Sequence, residues 1–439
     1  MALDKKYLQE EIREQYLIDD NNRPWIVGFS GGKDSTMLLQ LVWATVGEIQ
    51  PIFRKRQIYV VCNDTLVENP KIAQFIRGVL ENIQNEAAKQ GMPITVHETA
   101  PKLEESFWVN LIGKGYPAPN NTFRWCTERL KINPTTEFIK SKISEIGEVV
   151  ILLGTRSAES ANRAKSIKKH EVKGERLRKH ILPNAYVFAV IKDVETDEVW
   201  QYLLHNKPGW GGDNRPLVTL YRNANGGDCP LVIDDTTPSC GNSRFGCWVC
   251  TVVQRDKSME ALIDNGEEWM EPLSDFRDML QENRNKRENR ETKRRGSYIE
   301  DEETWGPYTE DHRAYMLKTL LEAQKEVQQT EPNLVLVNSQ ELVGIQVTWH
   351  RDSLFRFSVA DIYNEVYGTD LKAADFEVQD VFEKETLKEV FTDETDFKLI
   401  NELLEVQKSR YIMVNNYGLQ HDLENYIERH TKTNLQNVH

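Results

Sequence analysis

Short apolar runs alternate with longer stretches of helical spacing through the first half of the chain. Trp25–Phe29, Ile58–Cys62, Ile94–Glu98, Val149–Gly154 and Val187–Ile191 are each long enough for one buried strand. Between them, Lys71–Gln90 and Pro134–Ile146 repeat apolar residues three and four apart, the stripe of a helix packed on one face. This alternation predicts a doubly wound α/β domain with a parallel sheet, because parallel neighbours need a crossover and helices supply it. Ligands of such sheets sit at the carboxyl ends of the strands. Met1–Tyr16 has the pattern of a polar helix.

Near residue 205 the pattern changes. Asn206–Gly246 is rich in Gly, Pro, Asn and Asp and reads as an ordered insertion, and helical spacing resumes after Lys257. Arg284–Arg295 holds seven basic residues and Glu300–Asp311 is acidic, the texture of a linker or exposed hinge. The expected organisation is therefore an α/β domain over 1–205, a cysteine-rich region with helices over 206–296, a charged linker and helix over 297–330, and a mostly helical C-terminal domain over 331–439.

Composition narrows the setting. No apolar run approaches a membrane span, and 39% hydrophobic with 28% charged residues is ordinary for a soluble protein. Six cysteines in 439 residues make no disulfide framework, so a cytoplasmic protein with no membrane partner is expected. The net charge of −14 argues against a stand-alone nucleic-acid binder. Contact with DNA would need a local basic patch or another subunit. Arg163–Lys179, with eight Lys and Arg against Glu171 and Glu175, is the candidate patch.

The most informative stretch is Trp25-Ile-Val-Gly-Phe-Ser-Gly-Gly-Lys-Asp-Ser35. An apolar strand runs into two glycines and then into a helical pattern. Gly31 and Gly32 let backbone N–H groups approach a ligand, and the helix start adds unpaired N–H groups and a positive dipole end. Ser30, Lys33 and Ser35 add donors, and Asp34 is placed to hold Mg2+ or cap the helix. The spacing is neither a Walker loop nor a dinucleotide fingerprint. It reads as a pyrophosphate cradle.

Other strand ends are expected to complete the site. Asp64 and Thr65 follow the second strand, where they would hold a ribose, orient Mg2+ or cap a helix. Gly154 permits close approach at the fourth strand end, Arg156 would neutralise departing pyrophosphate, and Glu159 would orient Arg156. Cys126 lies among Arg124, Arg129 and Lys131, cations expected to favour its thiolate as a sulfur carrier. Cys229, Cys240, Cys247 and Cys250 follow a C-x10-C-x6-C-x2-C spacing without an intervening histidine. That is a four-thiolate metal site, open between zinc and an iron–sulfur cluster on spacing alone.

These motifs carry a resemblance. The Ser30–Ser35 loop resembles the SGGxDS loop of ATP pyrophosphatases, which cleave ATP between the α and β phosphates. Asp64-Thr65, the R-x-C-x-x-x-L-K segment around Cys126 and the Gly154–Ser160 run resemble the phosphoadenosine-phosphosulfate reductase family in the same order. Lys131 is by this resemblance a phosphate contact. Together with Cys240-Gly-Asn-Ser-Arg-Phe-Gly-Cys-Trp-Val-Cys-Thr251, they resemble the sulfurtransferase (DndC) family of bacterial DNA phosphorothioation systems, over roughly Trp25–Asp275. The resemblance implies an adenine nucleotide alpha hydrolase-like fold, ATP pyrophosphatase activity, a 4Fe–4S cluster and exchange of a non-bridging DNA phosphate oxygen for sulfur. It also implies a cysteine desulfurase as donor and further phosphorothioation subunits as partners. Rival readings are a reductase of phosphoadenosine phosphosulfate or adenylyl sulfate, a tRNA thiolation enzyme, and a non-catalytic ATP-binding cluster scaffold.

Overall fold

The computed structural model describes residues 3–18, 23–159, 161–171, 174–223, 246–294, 297–298, 305–351, 357–371, 396–400, 402–404 and 427. The chain divides into two compact units. The first comprises Met1–Pro101, Trp125–Cys250 and Arg255–Glu268; the second comprises Lys102–Arg124, Thr251–Gln254 and Trp269–His439.

The first unit holds, in order, α1 (Lys5–Ile18), β1 (Trp25–Gly28), α2 (Lys33–Glu48), β2 (Ile58–Asn63), α3 (Pro70–Lys89) and β3 (Ile94–Thr99). After the chain's excursion into the second unit come α4 (Trp125–Thr127), α5 (Asn133–Ile146), β4 (Val149–Leu152), α6 (Ala161–His170), β5 (Leu177–Lys179) and β6 (Ala185–Phe188). α7 (Thr196–His205), α8 (Arg215–Asn223) and α9 (Lys257–Asp264) follow. The sheet order is β3-β2-β1-β4-β6-β5, parallel except for β5. The expected parallel sheet is thus present, with the fifth expected strand shifted to Ala185–Phe188. Beyond Phe188 the chain turns, with Lys192 N–H donating to Ala189 O and Val194 N–H to Ile191 O. The antiparallel edge β5 carried no apolar run: its sequence is Leu-Arg-Lys.

Central strands β1 and β4 are apolar throughout because both faces are covered. On one face, Leu8, Ile12 and Tyr16 of α1 recur four apart and bury with α2, α3 and α7; on the other, Phe138 and Ile139 of α5 cover Ile26, Val61 and Ile151. α2 is buried from Ser35 to Val42 without a break, so its N-terminus is held deep at the strand ends.

In the second unit, α11 (Glu310–Val327) and α12 (Ser339–Arg351) pack on a π-helical turn at Val109–Gly113, α10 (Glu271–Asn283) and α13 (Val359–Tyr367) pack on α11, and β7 (Lys293–Arg294) and β8 (Ser297–Tyr298) form a short hairpin. Trp108 donates to Leu336 O at 2.7 Å and Trp349 to Ile112 O at 3.1 Å. In the basic block, Arg284 donates to Pro119 O and Thr251 O, and Arg290 to Gly306 O, so these arginines satisfy carbonyls of their own unit. No helix among the described residues is long and apolar enough to cross a membrane.

Candidate functional site

The phosphate loop forms where β1 ends and α2 begins. Gly31 has φ +70°, and a Cβ there would lie 2.4 Å from Ile76 Cγ1, so glycine is needed for conformation and for space. Gly32 caps α2 without a side chain, leaving the helix-start N–H groups unclaimed by any cap side chain. Ser35 Oγ knits the loop: it donates to Gly32 O at 3.0 Å, accepts from Ser30 N–H at 3.2 Å and lies 3.2 Å from Ser30 Oγ.

The fourth strand exit closes onto this loop. A Cβ on Gly154 would stand 3.0 Å from Asp34 C and Ser35 N, which explains glycine at that position. Arg156 is 1% exposed. Its Nε donates to Asp34 Oδ1 at 2.7 Å, Nη1 donates to Val194 O at 2.8 Å, and both Nη atoms reach Thr196 Oγ1. One guanidinium thus ties together the segments leaving β1, β4 and β6. The expectation that Arg156 faces pyrophosphate meets a guanidinium directed at protein groups. Glu159 accepts from the Arg156 backbone N–H at 2.8 Å, so it shapes the turn. Asp34 carries Lys33 on its other oxygen, Nζ to Oδ2 at 3.2 Å. Two cations therefore attend the carboxylate expected to take Mg2+. The hydroxyl Oγ1 of Thr155 is buried without a hydrogen-bond partner, a polar atom at the site that a ligand would satisfy.

The second strand exit gathers thiols. Asn63 donates to Leu130 O at 2.8 Å, pinning the turn that carries Cys126. Asp64 Oδ1 accepts from Leu66 N–H at 2.8 Å in a local turn that sets Leu66 at φ +64°. Thr65 is fully buried, donates to Glu68 Oε1 at 2.9 Å and lies 3.5 Å from Cys247 Sγ. Glu68 and Cys247 form an antiparallel bridge, and Lys131 Nζ sits 3.5 Å from Glu68 Oε1. The Cys247 thiol is pushed up to about 12 by burial first and Glu68 second, with Lys131 opposing. Lys131, expected to contact phosphate, is held above the usual lysine range chiefly by Cys247, with Glu68 and Cys126 adding to it.

Cys126 joins this group. Its thiol is raised by burial and then by neighbouring Cys250, so desolvation outweighs the lowering by Lys131. The expected cation-activated thiolate is corrected accordingly. Cys250 N–H donates to Cys247 O at 3.1 Å, folding the C-x-x-C pair into a turn. Cys229 and Cys240 lie outside the described residues. Among those described, no group of three or more His, Cys, Asp or Glu side chains is arranged as a metal site. The sixth cysteine, Cys62, is a core residue of β2 with its thiol raised to about 12 by burial.

Glu68, Thr155 and Tyr221 were not singled out as site residues from sequence. Glu68 had a signal, the Thr65-x-x-Glu68 spacing ahead of α3, and Thr155 sits inside the Gly154–Ser160 run. Tyr221 had none.

A mostly parallel sheet with a glycine loop at its first strand exit, opening a buried helix, is the architecture of the adenine nucleotide alpha hydrolase-like fold. The phosphoadenosine phosphosulfate reductase domain matches residues 24–253. This chain belongs to that family. It is 27% identical over 238 residues to an uncharacterised protein of Methanocaldococcus jannaschii, a match covering 53% of this chain and 37% of that protein. The chain therefore spans little more than a third of the curated relative it matches. Similar solved structures include phosphoadenylyl-sulfate reductase from Candida auris in a phosphate complex (14% identity, 45% of this chain, 79% of that one, TM-score 0.29). Others are the U34-tRNA thiolase NcsA from Methanococcus maripaludis with its [4Fe-4S] cluster (14%, 63% and 78%, TM-score 0.30), and Candida glabrata FMN adenylyltransferase with FMN and an ATP analogue (14%, 50% and 58%, TM-score 0.27).

Proposed function

We propose that this chain is an ATP-dependent sulfurtransferase that adenylates a DNA phosphodiester and replaces a non-bridging oxygen with sulfur. The observation that carries the reading is the adjacency of two chemistries on one sheet: a phosphate loop at the β1 exit and a thiol group, Cys126, Cys247 and Cys250, at the exit of neighbouring β2. A phosphodiester oxygen is a poor leaving group. Attack of that oxygen on the α phosphate of ATP releases pyrophosphate and leaves an adenylated backbone. Sulfur then attacks the DNA phosphorus, and AMP leaves with the oxygen. If the sulfur arrives as a Cys126 persulfide, the resulting S–S–P linkage is cleaved by a second thiol to free the phosphorothioate. Two easier displacements replace one hard one.

The chain's contribution is placement and charge neutralisation. The Gly31–Lys33 backbone and Lys33 would take the phosphates, with Asp34 as the carboxylate for Mg2+. The soft thiol donors Cys247 and Cys250, with Cys229 and Cys240, fit an iron–sulfur cluster better than a hard ion. Such a cluster, when bound, would supply electrons or an iron able to bind sulfur. For the DNA backbone, α6 offers exposed Lys165, Lys168 and Lys169, whereas Arg176 is committed to Glu11 and Glu14, and Lys192 to Glu171. A cysteine desulfurase and partner subunits complete the proposal.

The test is nuclease digestion of genomic DNA with and without the gene, followed by mass spectrometry for sulfur-containing dinucleotides. Their presence only with the gene is expected. Cys126→Ser should release pyrophosphate from ATP yet incorporate no sulfur; retained incorporation would remove Cys126 from the mechanism. Family membership favours one second reading, reduction of phosphoadenosine phosphosulfate. It predicts sulfite from the nucleotide with no need for DNA.

A further inference from the structure

We propose that Tyr221, on α8 and outside every recognised loop motif, is the residue that positions Lys33 for the triphosphate. The inference rests on the ATP-cleaving reading above and adds to it a phosphate-end residue supplied by a distant helix.

Lys33 N–H is the first amide of α2, one of the helix-start donors expected to meet phosphate. It donates to Tyr221 OH at 3.4 Å, across 188 residues of sequence. The Lys33 ammonium stands 5.5 Å from the centre of the same ring and 3.2 Å from Asp34 Oδ2. A single side chain therefore addresses both ends of Lys33, its amide and its charge. The aromatic face and the carboxylate together restrict a long, rotamer-rich side chain.

Tyr221 is itself fixed. It is 6% exposed and meets Trp200 edge-on, with ring centres 4.9 Å apart. The hydroxyl also stands close to position 32, where a Cβ would lie 3.3 Å from that oxygen and would require it to give by a few tenths of an ångström. Burial raises the phenol to about 12, against a smaller lowering from the Lys33 amide, so Tyr221 stays neutral at physiological pH. That matters for an anionic ligand. A neutral hydroxyl keeps its own proton, and when a phosphate oxygen takes the Lys33 amide the hydroxyl can donate that proton to the phosphate, so the bound anion gains one hydrogen bond from Tyr221. Tyr221 thus holds the loop ready without repelling the substrate.

The test uses the full chain and Tyr221→Phe, which keeps the ring and deletes the hydroxyl. Pyrophosphate release from ATP is measured together with inhibition by inorganic pyrophosphate and by AMP. The KM for ATP and the inhibition constant of pyrophosphate are expected to rise together by roughly three- to tenfold, the equivalent of one lost hydrogen bond. kcat should hold within about twofold, AMP inhibition should be unchanged, and the melting temperature should match wild type. Tyr221→Leu, lacking the ring as well, should be worse than Tyr221→Phe at the phosphate end. Unchanged constants in Tyr221→Phe overturn the inference while leaving the ATP reading intact. Equal weakening of AMP and pyrophosphate also overturns it, since that marks general damage to the site. Absence of ATP cleavage and binding in the wild-type protein instead removes the reading beneath it.

Discussion

At the scale of single residues, the site is governed by where charge is already spent. Arg156 and Asp34 form a largely buried pair, and the guanidinium also satisfies Val194 O and Thr196. Lys33 still attends Asp34 in its absence, but Arg156→Ala loses the buried pair and leaves Val194 O without this donor, so it should destabilise the protein by about 3 kcal/mol, read by urea unfolding. An arginine serving only pyrophosphate would leave the unfolding midpoint where it was. Thr155 supplies the opposite case. Its hydroxyl is buried and unpaired, so Thr155→Val should leave stability unchanged or slightly raised while ATP affinity falls roughly three- to tenfold by calorimetry. Undiminished affinity would mean that the ligand does not use this hydroxyl. Neither role was legible beforehand. A sequence identifies an arginine and a threonine near a strand end, but the direction of a guanidinium depends on residues 38 and 122 positions away.

At the scale of elements, the β1–α2 junction is the part of the site that sequence described most fully. Strand, two glycines and helix start are contiguous, so local backbone geometry determines the shape of the cradle. The remaining constraint comes from α3, whose Ile76 fills the space beside Gly31. Gly31→Ala should therefore lose ATP binding and lower the melting temperature, through positive-φ strain and the Ile76 clash together. Adding Ile76→Ala should restore part of the melting temperature; no recovery would assign the whole cost to backbone strain. The turn carrying Cys126 was legible as a motif but misjudged as an electrostatic environment. Neighbouring cations in sequence suggested a lowered thiol pKa, whereas burial of the turn at the β2 exit raises it. Helix α8 was missed within a stretch rich in glycine and asparagine, though its nine residues are amphipathic.

At the scale of the whole chain, the second unit has its own sensitivity to acid. His312 on α11 is 7% exposed, its Nε2 has no partner, and Tyr308 and Tyr315 lie against its ring. Burial first, then Lys286 and Arg290, lower its pKa from 6.5 to about 4. The unfolded chain then binds a proton that the folded one refuses, so stability is complete above pH 6.5 and falls as pH drops toward 4. On the order of 3 kcal/mol is at stake. Urea unfolding across that window should show the decline, and His312→Phe should flatten it; an equal slope in both proteins would place the acid sensitivity elsewhere. Sequence alone determined what depends on neighbours along the chain: the alternating strands and helices, the glycine loop at a strand exit, and the cysteine spacing. These are properties of backbone geometry and of periodic burial, and both are written locally. Tertiary structure alone decided which side chains meet: Arg156 turned toward Asp34, Lys131 paired with Glu68, Tyr221 brought under Lys33. Those pairings depend on the packing of elements tens to hundreds of residues apart, and packing is a property of the assembled fold.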